Sequence, residues 1–326
     1  MFRRLSAFII ALMICALPVI TWAADETDNP IQLPQSSSDD QMQAVNQQMD
    51  QVEAGKAPLD TAKHSETLTG WDLEITPESS YIRYHEPTLM KETGNMYGIN
   101  ADFIYHPPKG NMLNTEITDM YRLDTMFSYG KVDYRGGYVS NGVTVPAGFN
   151  GIDDYMVEIR GISGKDFFFN NGNTRLTPYI GGGYRSLYDS LYEFKPGGYD
   201  RRIQYLYFPT GGEIMTKLGN GWSIGADAEY DIFLRGFVTS YLETIGLGKL
   251  TNTQKNGYGV RGSIKILKNY GNFNFIFEPY VRFWHIQTSR LDTSTPFIYQ
   301  GRWYIVNGWE PNNNSLELGG KLGIEF

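Results

Sequence analysis

The chain ends on the stretch LELGGKLGIEF, residues 316–326, in which every second position is apolar or glycine. Counted back from the end, these positions are Phe326, Ile324, Leu322, Gly320, Leu318 and Leu316. The positions between them hold glutamate, lysine and glycine. A period of two is typical of a β-strand with one apolar and one polar face. The stretch therefore predicts a two-faced strand that runs to Phe326.

The same period recurs from Trp71 onward and predicts an all-β domain of about ten strands over residues 71–326. The predicted strands are 71–86, 94–107, 119–133, 154–164, 174–188, 201–218, 221–234, 255–268, 272–287 and 314–326. Short connections, LGNG at 218–221 and KNYGN at 268–272, predict tight turns that alternate with longer loops. These loops are predicted at 134–153, 189–200, 235–254 and 288–313. An even number of antiparallel strands brings both ends of the domain to the same side.

The polarity of the two strand faces predicts what the strands enclose. On 221–234, apolar residues share one face, whereas Asp227, Glu229 and Asp231 share the other. A carboxylate that faces lipid is costly, so the charged face predicts a polar lumen and the apolar face predicts contact with lipid. We therefore expect a closed antiparallel transmembrane β-barrel. The alternative is a soluble β-sandwich, in which the apolar face would look inward.

The first residues predict export. MFRR, an apolar run from Leu5 to Val19 and the small residues of Thr21-Trp22-Ala23 are typical of a cleaved signal peptide over 1–23. A spanning helix is the alternative, but the run is shorter than the ~18–20 residues that such a helix needs. The only cysteine, Cys15, lies within this segment, so the cleaved chain would hold no disulfide, thiolate metal site or cysteine nucleophile.

Residues 24–70 are rich in Gln, Ser and Asp and predict a flexible periplasmic linker, partly helical at most over 39–54. Loss of residues 1–23 would leave 26 Lys and Arg against 36 Asp and Glu, a formal net charge of −10. An acidic chain is a poor partner for nucleic acid, so we expect no such partner.

The last strand resembles the C-terminal assembly signal of Gram-negative outer-membrane β-barrel proteins. The residues that carry the resemblance are Leu318, Leu322, Ile324 and Phe326. It implies an outer-membrane location, contact with outer-membrane lipid and insertion by the barrel-assembly machinery. It also implies that the last strand closes on the first, because a sheet in lipid can leave no backbone group unpaired. The N-terminal tail would then lie in the periplasm.

A network of opposite charges is predicted inside the lumen. Its members are Glu158, Arg160, Arg185, Asp227, Glu229, Asp231, Arg261, Lys265, Glu278 and Arg282, and we also expect Arg83 on the inward face. We expect Arg261 to lie between Glu278 on one neighbouring strand and Glu229 on the other. Such pairs would brace a plugged barrel; the alternative is a narrow path for ions or a pocket for a small ligand.

Candidate catalytic residues are scarce. The size is similar to that of the omptin proteases, which use an aspartate pair and an Asp-x-His pair, but this chain has no Asp-x-His pair. The His-x-Ser pair of outer-membrane lipid A deacylases is absent too. Asp153 and Asp154 are adjacent and would point to opposite faces, and His285 shares the face of Phe283. We therefore expect no enzyme, no catalytic residue, no metal site and no cofactor; an outer-membrane hydrolase remains the third alternative.

Aromatic residues suggest two further roles. Trp222, Phe273, Phe283 and Trp284 are predicted to form girdles at the membrane interfaces. The loop segment TPFIYQGRWYIVNGWEP, residues 295–311, would cap the barrel mouth or form an adhesive patch, and capping is favoured. The leading function is a non-enzymatic barrel whose surface loops bind an extracellular ligand or support the envelope. A small porin-like channel is the second alternative.

Overall fold

The computed structural model describes residues 68–140, 143–194 and 197–326. The predicted signal peptide at 1–23 and the helical segment at 39–54 lie outside these residues. In the part of the chain that the structure describes, no helix is both long and apolar enough to span a membrane.

The described residues form sixteen strands, of which ten are long. The long strands are β1 (Gly70–Glu86), β2 (Met90–His106), β3 (Met120–Ser140), β4 (Val143–Gly164), β6 (Thr174–Ser190), β7 (Arg201–Gly219), β8 (Trp222–Ser240), β10 (Gly257–Asn269), β11 (Asn274–Ile286) and β16 (Asn313–Glu325). The short strands are β5 (Phe167–Phe169), β9 (Leu250–Gln254), β12 (Asp292–Thr293), β13 (Phe297–Tyr299), β14 (Arg302–Tyr304) and β15 (Asn307–Gly308). Two short 3-10 helices are Asn170–Gly172 and Leu242–Ile245.

The ten long strands close into an antiparallel barrel. Each pairs with the next long strand along the chain, and β16 pairs with both β11 and β1. At the seam Ile75 lies opposite Ile324, and the Phe326 amide donates to the Leu73 carbonyl at 3.0 Å. Closure by the last strand satisfies the backbone groups that lipid could not. The predicted ten-stranded closed barrel is confirmed.

The outer wall carries an apolar belt. On β8, the outward residues from Trp222 to Leu234 are exposed and apolar, and Arg235 follows at a bulge. This stretch rises roughly 40 Å along the strand at ~3.3 Å per residue. A strand tilt of about 40° reduces that rise to about 30 Å along the barrel axis, the thickness of a hydrocarbon core.

The two ends of the barrel differ. We call the end that holds Gly70 and Glu325 the terminal end, and the opposite end, where β11 and β16 are joined by residues 287–312, the loop end. The connections do not follow the predicted contrast between short and long. At the terminal end β2 and β3 are joined by residues 107–119, whereas at the loop end β1 and β2 are joined by residues 87–89 alone.

The prediction of a loop at 134–153 is wrong. Most of this segment continues β3 and β4 as a hairpin that reaches Ser140 and Val143. The sequence between them is Asn-Gly, which is a strong signal for a two-residue hairpin connection. In the same way β8 runs on to Ser240 and β9 covers Leu250–Gln254, both within the loop predicted at 235–254.

β1 continues without a bulge through Pro77. Pro77 pairs with Ile99 in a register that continues from Gly70 to Glu86. Ile82 and Tyr84 therefore share the inward face of Glu78, and both are about 2% exposed. Arg83, expected in the lumen, has the opposite parity and is exposed on the outer wall.

Candidate functional site

The lumen near the terminal end contains a cavity of about 790 Å³ that is lined by both apolar and charged side chains. Charged side chains in ion pairs line it. Lys265 Nζ lies 2.8 Å from Glu74 Oε1, and Arg175 Nη2 lies 2.6 Å from Glu213 Oε1. We call this space the terminal cavity.

Next to the terminal cavity, a layer of buried arginines crosses the lumen. Arg160 bridges two strands, because its Nη2 lies 2.6 Å from Asp124 Oδ2 and its Nη1 lies 2.7 Å from Glu229 Oε1. Arg261 bridges β4 and β8, because its Nη1 donates to Glu158 Oε2 at 2.7 Å and its Nε to Asp231 Oδ2 at 2.8 Å. These side chains form the arginine layer, together with Arg185 and Arg282.

The other half of the arginine layer centres on Glu317 of β16. Arg282 Nη1 lies 3.3 Å from Glu317 Oε2, and Arg185 donates to the other oxygen of the same carboxylate. Arg282 Nη2 also lies 3.3 Å from Glu78 Oε2. The guanidinium of Arg282 lies 4.1 Å from the ring centroid of Tyr280. The layer therefore connects strands from every side of the barrel.

Little water fits within this layer. Two voids of about 70 Å³ and 60 Å³ lie among its side chains, which is room for a few water molecules each. Charge-assisted hydrogen bonds are strong in such poorly solvated surroundings. The layer can therefore hold the barrel strands together across the lumen, and it narrows the path along the barrel axis.

Towards the loop end, the lumen is filled by aromatic rings. Trp284 and Tyr207 are each 1% exposed, with ring centroids 5.0 Å apart. Tyr205 lies 5.4 Å from Trp284 and 5.5 Å from Phe233. The guanidinium of Arg261 lies 5.3 Å from the Tyr207 ring, so this aromatic layer packs directly on the arginine layer. Buried methionines, valines and isoleucines surround it.

The GGG stretch at 181–183 accommodates one of these rings. A Cβ added at Gly183 would lie 2.3 Å from Cζ of Tyr207, whereas within the described residues one at Gly182 would meet no atom within 4 Å. Tyr207 thus covers bare backbone, and its hydroxyl donates to Glu158 at 2.6 Å. The glycine is required by the close approach of the ring.

Gly183→Ala is expected to lower the free energy of unfolding by about 1–3 kcal/mol, because the added methyl group would overpack the site against Tyr207. Gly182→Ala is the matched control and is expected to change stability by less than about 1 kcal/mol. Urea titrations of the two refolded variants would measure both values. Equal losses of stability in the two variants would show that Tyr207 does not require a glycine at position 183.

All ten charged residues predicted for the lumen are buried or half-buried and lie on the inward face of their strands. Of the two neighbours predicted for Arg261, the register gives one. Arg261 lies opposite Glu229 on β8, with Nε 3.2 Å from Glu229 Oε1. On β11 it lies opposite Arg282, so the pairing with Glu278 is wrong. The β10–β11 hairpin closes at Asn269 and Asn274 around four residues, with Gly271 at φ +89°, and this shifts the register.

The predicted aromatic girdle needs one correction. Trp222 is 47% and Phe273 38% exposed at the terminal end, and Phe283 faces outward. Trp284 lies on the opposite face and is buried in the aromatic layer, so its assignment to the girdle is wrong. Trp284 is two residues from Arg282 on β11, so the alternation of the strand indicates that both side chains face inward.

The prediction omitted several partners of the buried arginines. Glu78, Asp124 and Glu317 each accept from an arginine of the layer. Glu78 shares the inward parity of Ile82 and Tyr84 on β1. Glu317 lies on the polar face of the final strand, and the prediction assigned a role only to the apolar face of that strand. Parity alone would have found all three.

The three residues that the sequence analysis weighed for catalysis, Asp153, Asp154 and His285, do not form one site. Asp153 faces outward, where it lies 2.6 Å from Lys131 Nζ, whereas Asp154 faces inward and is 1% exposed. His285 shares the outward face of Phe283, and its Nδ1 lies 2.7 Å from Asn314 Oδ1. The opposite orientation of the two aspartates follows the predicted parity.

The aromatic loop segment is exposed. Within the hairpin of β13 and β14, Ile298 is 60% and Trp303 72% exposed, and Trp309 farther on is 61% exposed. We call residues 297–304 the aromatic hairpin. Side chains that capped the barrel mouth would be buried against it, whereas these are exposed. Glu310, which is 5% exposed and lies 2.6 Å from Arg201 Nη2, is the residue of this segment that enters the mouth.

Solved structures with a similar fold are outer-membrane proteins. The outer membrane protease OmpT from Escherichia coli matches with a TM-score of 0.50 and 10% identity, covering 78% of this chain and 96% of that chain. The translocator domain of the autotransporter NalP from Neisseria meningitidis matches with a TM-score of 0.35 and 9% identity, covering 87% and 97%. No protein-family model and no curated protein matches the chain. At these identities the likeness shows the fold alone, which is that of outer-membrane β-barrels.

Proposed function

Starting from the outer-membrane β-barrel fold, we propose that the protein is a plugged, non-enzymatic barrel of a Gram-negative outer membrane. Its termini lie on the periplasmic side, and its loop end faces outward and binds an extracellular ligand. The observation that carries the proposal is the filling of the lumen by two successive layers of buried side chains. In this role the apolar belt contacts outer-membrane lipid, and the last strand engages the barrel-assembly machinery.

The arginine layer supports the plugged state. An ion that crossed it would have to separate charge-assisted pairs such as Arg261 with Glu158 in surroundings that offer few waters. It would then have to displace Trp284 and Tyr207, whose rings pack in contact. Both steps are costly, since buried charges left without partners and lost packing each destabilise the barrel.

The aromatic hairpin supports a binding role at the loop end. Exposed apolar patches on a polar surface mark interaction sites. Trp303 and Ile298 lie opposite each other on β14 and β13, and both are more than half exposed. Tyrosine, tryptophan and isoleucine together offer flat and aliphatic surface, which suits an apolar or ring-bearing ligand.

The plugged state has a direct test. Refolded protein in a planar lipid bilayer is expected to show no sustained conductance above the bare membrane, because the arginine and aromatic layers fill the lumen. A narrow channel is the second candidate, and the terminal cavity of about 790 Å³ favours it as a vestibule. Discrete openings whose ion selectivity changes in Arg261→Ala would support the channel and contradict the plug.

The binding role is tested with hexadecane droplets as an apolar probe. Cells that display the double variant Ile298→Ser with Trp303→Ser are expected to partition into the droplets at least about twofold less than wild type, because the variant removes exposed apolar surface. Met112→Ser is the control, since Met112 is 89% exposed in the connection at the terminal end and would face the periplasm. A loss in the control alone would reverse the proposed orientation.

A further inference from the structure

Three buried carboxylates converge inside the barrel near the loop end. Glu92 on β2, Asp154 on β4 and Asp189 on β6 each place one oxygen within 4.8 Å of the others. Their exposed fractions are 2%, 1% and 0%. Asp154 and Asp189 are direct neighbours across the β4–β6 ladder. We call these residues the carboxylate triad.

Five of the six carboxylate oxygens of the triad have no hydrogen-bond donor among the described residues. Within residues 68–140, 143–194 and 197–326, both oxygens of Glu92, both of Asp189 and Oδ1 of Asp154 accept no hydrogen bond. A buried carboxylate without a partner carries a large desolvation cost. Three such side chains, each with one oxygen within 4.8 Å of the others, therefore point to a bound group that supplies positive charge.

The neighbouring arginine is already engaged. Arg201 lies opposite Asp189 in the β6–β7 ladder. Its Nη2, however, lies 2.9 Å from Glu86 Oε1 and 2.6 Å from Glu310 Oε1. Two further carboxylates thus compete for this guanidinium, and the region holds more negative than positive charge.

The triad lies beyond the apolar belt. At its height the outer wall carries the exposed pair of Lys131 with Asp153, and the exposed Arg202, rather than apolar residues. Burial, and then the nearby Asp189 and Glu92, raise the pKa of Asp154 well above its usual value. A cation between the three groups would offset both effects.

We propose that the carboxylate triad binds a divalent cation of the calcium type. All its donors are carboxylate oxygens, the ligands of hard cations. Two oxygens on opposite sides of a Ca²⁺ ion lie about 4.6–5.2 Å apart, which the 4.8 Å limit accommodates. Ca²⁺ fits better than Mg²⁺, because it accepts bidentate carboxylates and irregular geometry, whereas Mg²⁺ requires a near-ideal octahedron.

Such an ion would join three strands. Glu92, Asp154 and Asp189 belong to β2, β4 and β6, and β3 pairs between the first two. The ion would therefore stabilise the loop end of the barrel on the side where the β3–β4 hairpin begins to extend. A site of this kind does not depend on whether the lumen conducts or the aromatic hairpin binds.

The test is a calcium titration of the full chain, refolded in detergent without lipopolysaccharide and treated with EDTA. Isothermal titration calorimetry with CaCl₂ is expected to give one site per chain. At about 100 times the dissociation constant, Ca²⁺ is expected to raise Tm by roughly 5–10 °C. Asp154→Asn and Asp189→Asn are each expected to weaken binding at least about tenfold, because each removes a charged ligand.

Asp153→Asn is the matched control, because Asp153 is adjacent in sequence but faces outward to Lys131. It is expected to bind Ca²⁺ as wild type does. No heat of binding and no rise of Tm in wild type would overturn the proposal, even if a triad variant fails to fold. An Asp153→Asn variant that loses binding as fully as Asp154→Asn would also overturn it, since the ion would then lie elsewhere.

Discussion

Replacing Arg261 by methionine is expected to lower the free energy of unfolding of the barrel by about 3–5 kcal/mol. Arg261 is 8% exposed and donates to Glu158 and Asp231. Methionine fills similar volume but leaves these carboxylates buried without their partner, and the uncompensated charge is the larger cost. Urea titration of the refolded protein, followed by circular dichroism, would measure the loss.

Arg83→Met is the matched control, because Arg83 is exposed on the outer wall. Its expected change is within about 0.5 kcal/mol. The double variant Arg261→Met with Glu158→Gln is expected to cost less than the sum of the two single variants, since the two groups interact directly. Additive losses, or a loss below about 1 kcal/mol for Arg261→Met, would mean that the arginine layer does not hold the barrel together.

Trp284→Ala is expected to lower the free energy of unfolding by about 3–5 kcal/mol, because it leaves a cavity in the aromatic layer. The ring of Trp284 contacts Tyr205 and Tyr207, and the closely packed interior cannot collapse onto the space. The same urea titration would measure this loss.

The next residue provides the comparison. Phe283 faces the lipid, so acyl chains can fill the space left by Phe283→Ala, and the expected loss is smaller by at least about 1 kcal/mol. A larger loss for Phe283→Ala than for Trp284→Ala would place the packed ring in the girdle and contradict the buried position described above.

The two neighbours predicted for Arg261 show that the alternation of residues predicts the face of a strand, whereas the turn decides which residues lie opposite each other. Arg261 and Glu229 were correctly paired, whereas on β11 Arg261 lies opposite Arg282, four positions from the predicted Glu278. The failure lies in one turn, where the four-residue connection Tyr270–Phe273 replaced the assumed register. Strand pairing depends on turn geometry to the residue, and the alternation of the strands is the same on either side of such a shift.

The contacts of greatest functional interest lie across the lumen. Arg261 Nη1 meets Glu158 Oε2 although the two residues are 103 positions apart on strands that do not pair with each other. Asp154, weighed in the sequence as one half of an adjacent aspartate pair, faces Asp189 and Glu92 instead. Such meetings depend on strand tilt and on the stagger of the closed sheet, which single-strand patterns do not encode.

The ten long strands, their two faces and the closed barrel could be predicted from the sequence alone, apart from the strand ends. These follow from short-range periodicity and from the cost of polar groups in lipid, both of which can be read from neighbouring residues. The tertiary structure alone decided which carboxylate meets which arginine, that Tyr207 lies over Gly183, and that three carboxylates converge near the loop end. Those features depend on register, tilt and closure, which are properties of the whole sheet.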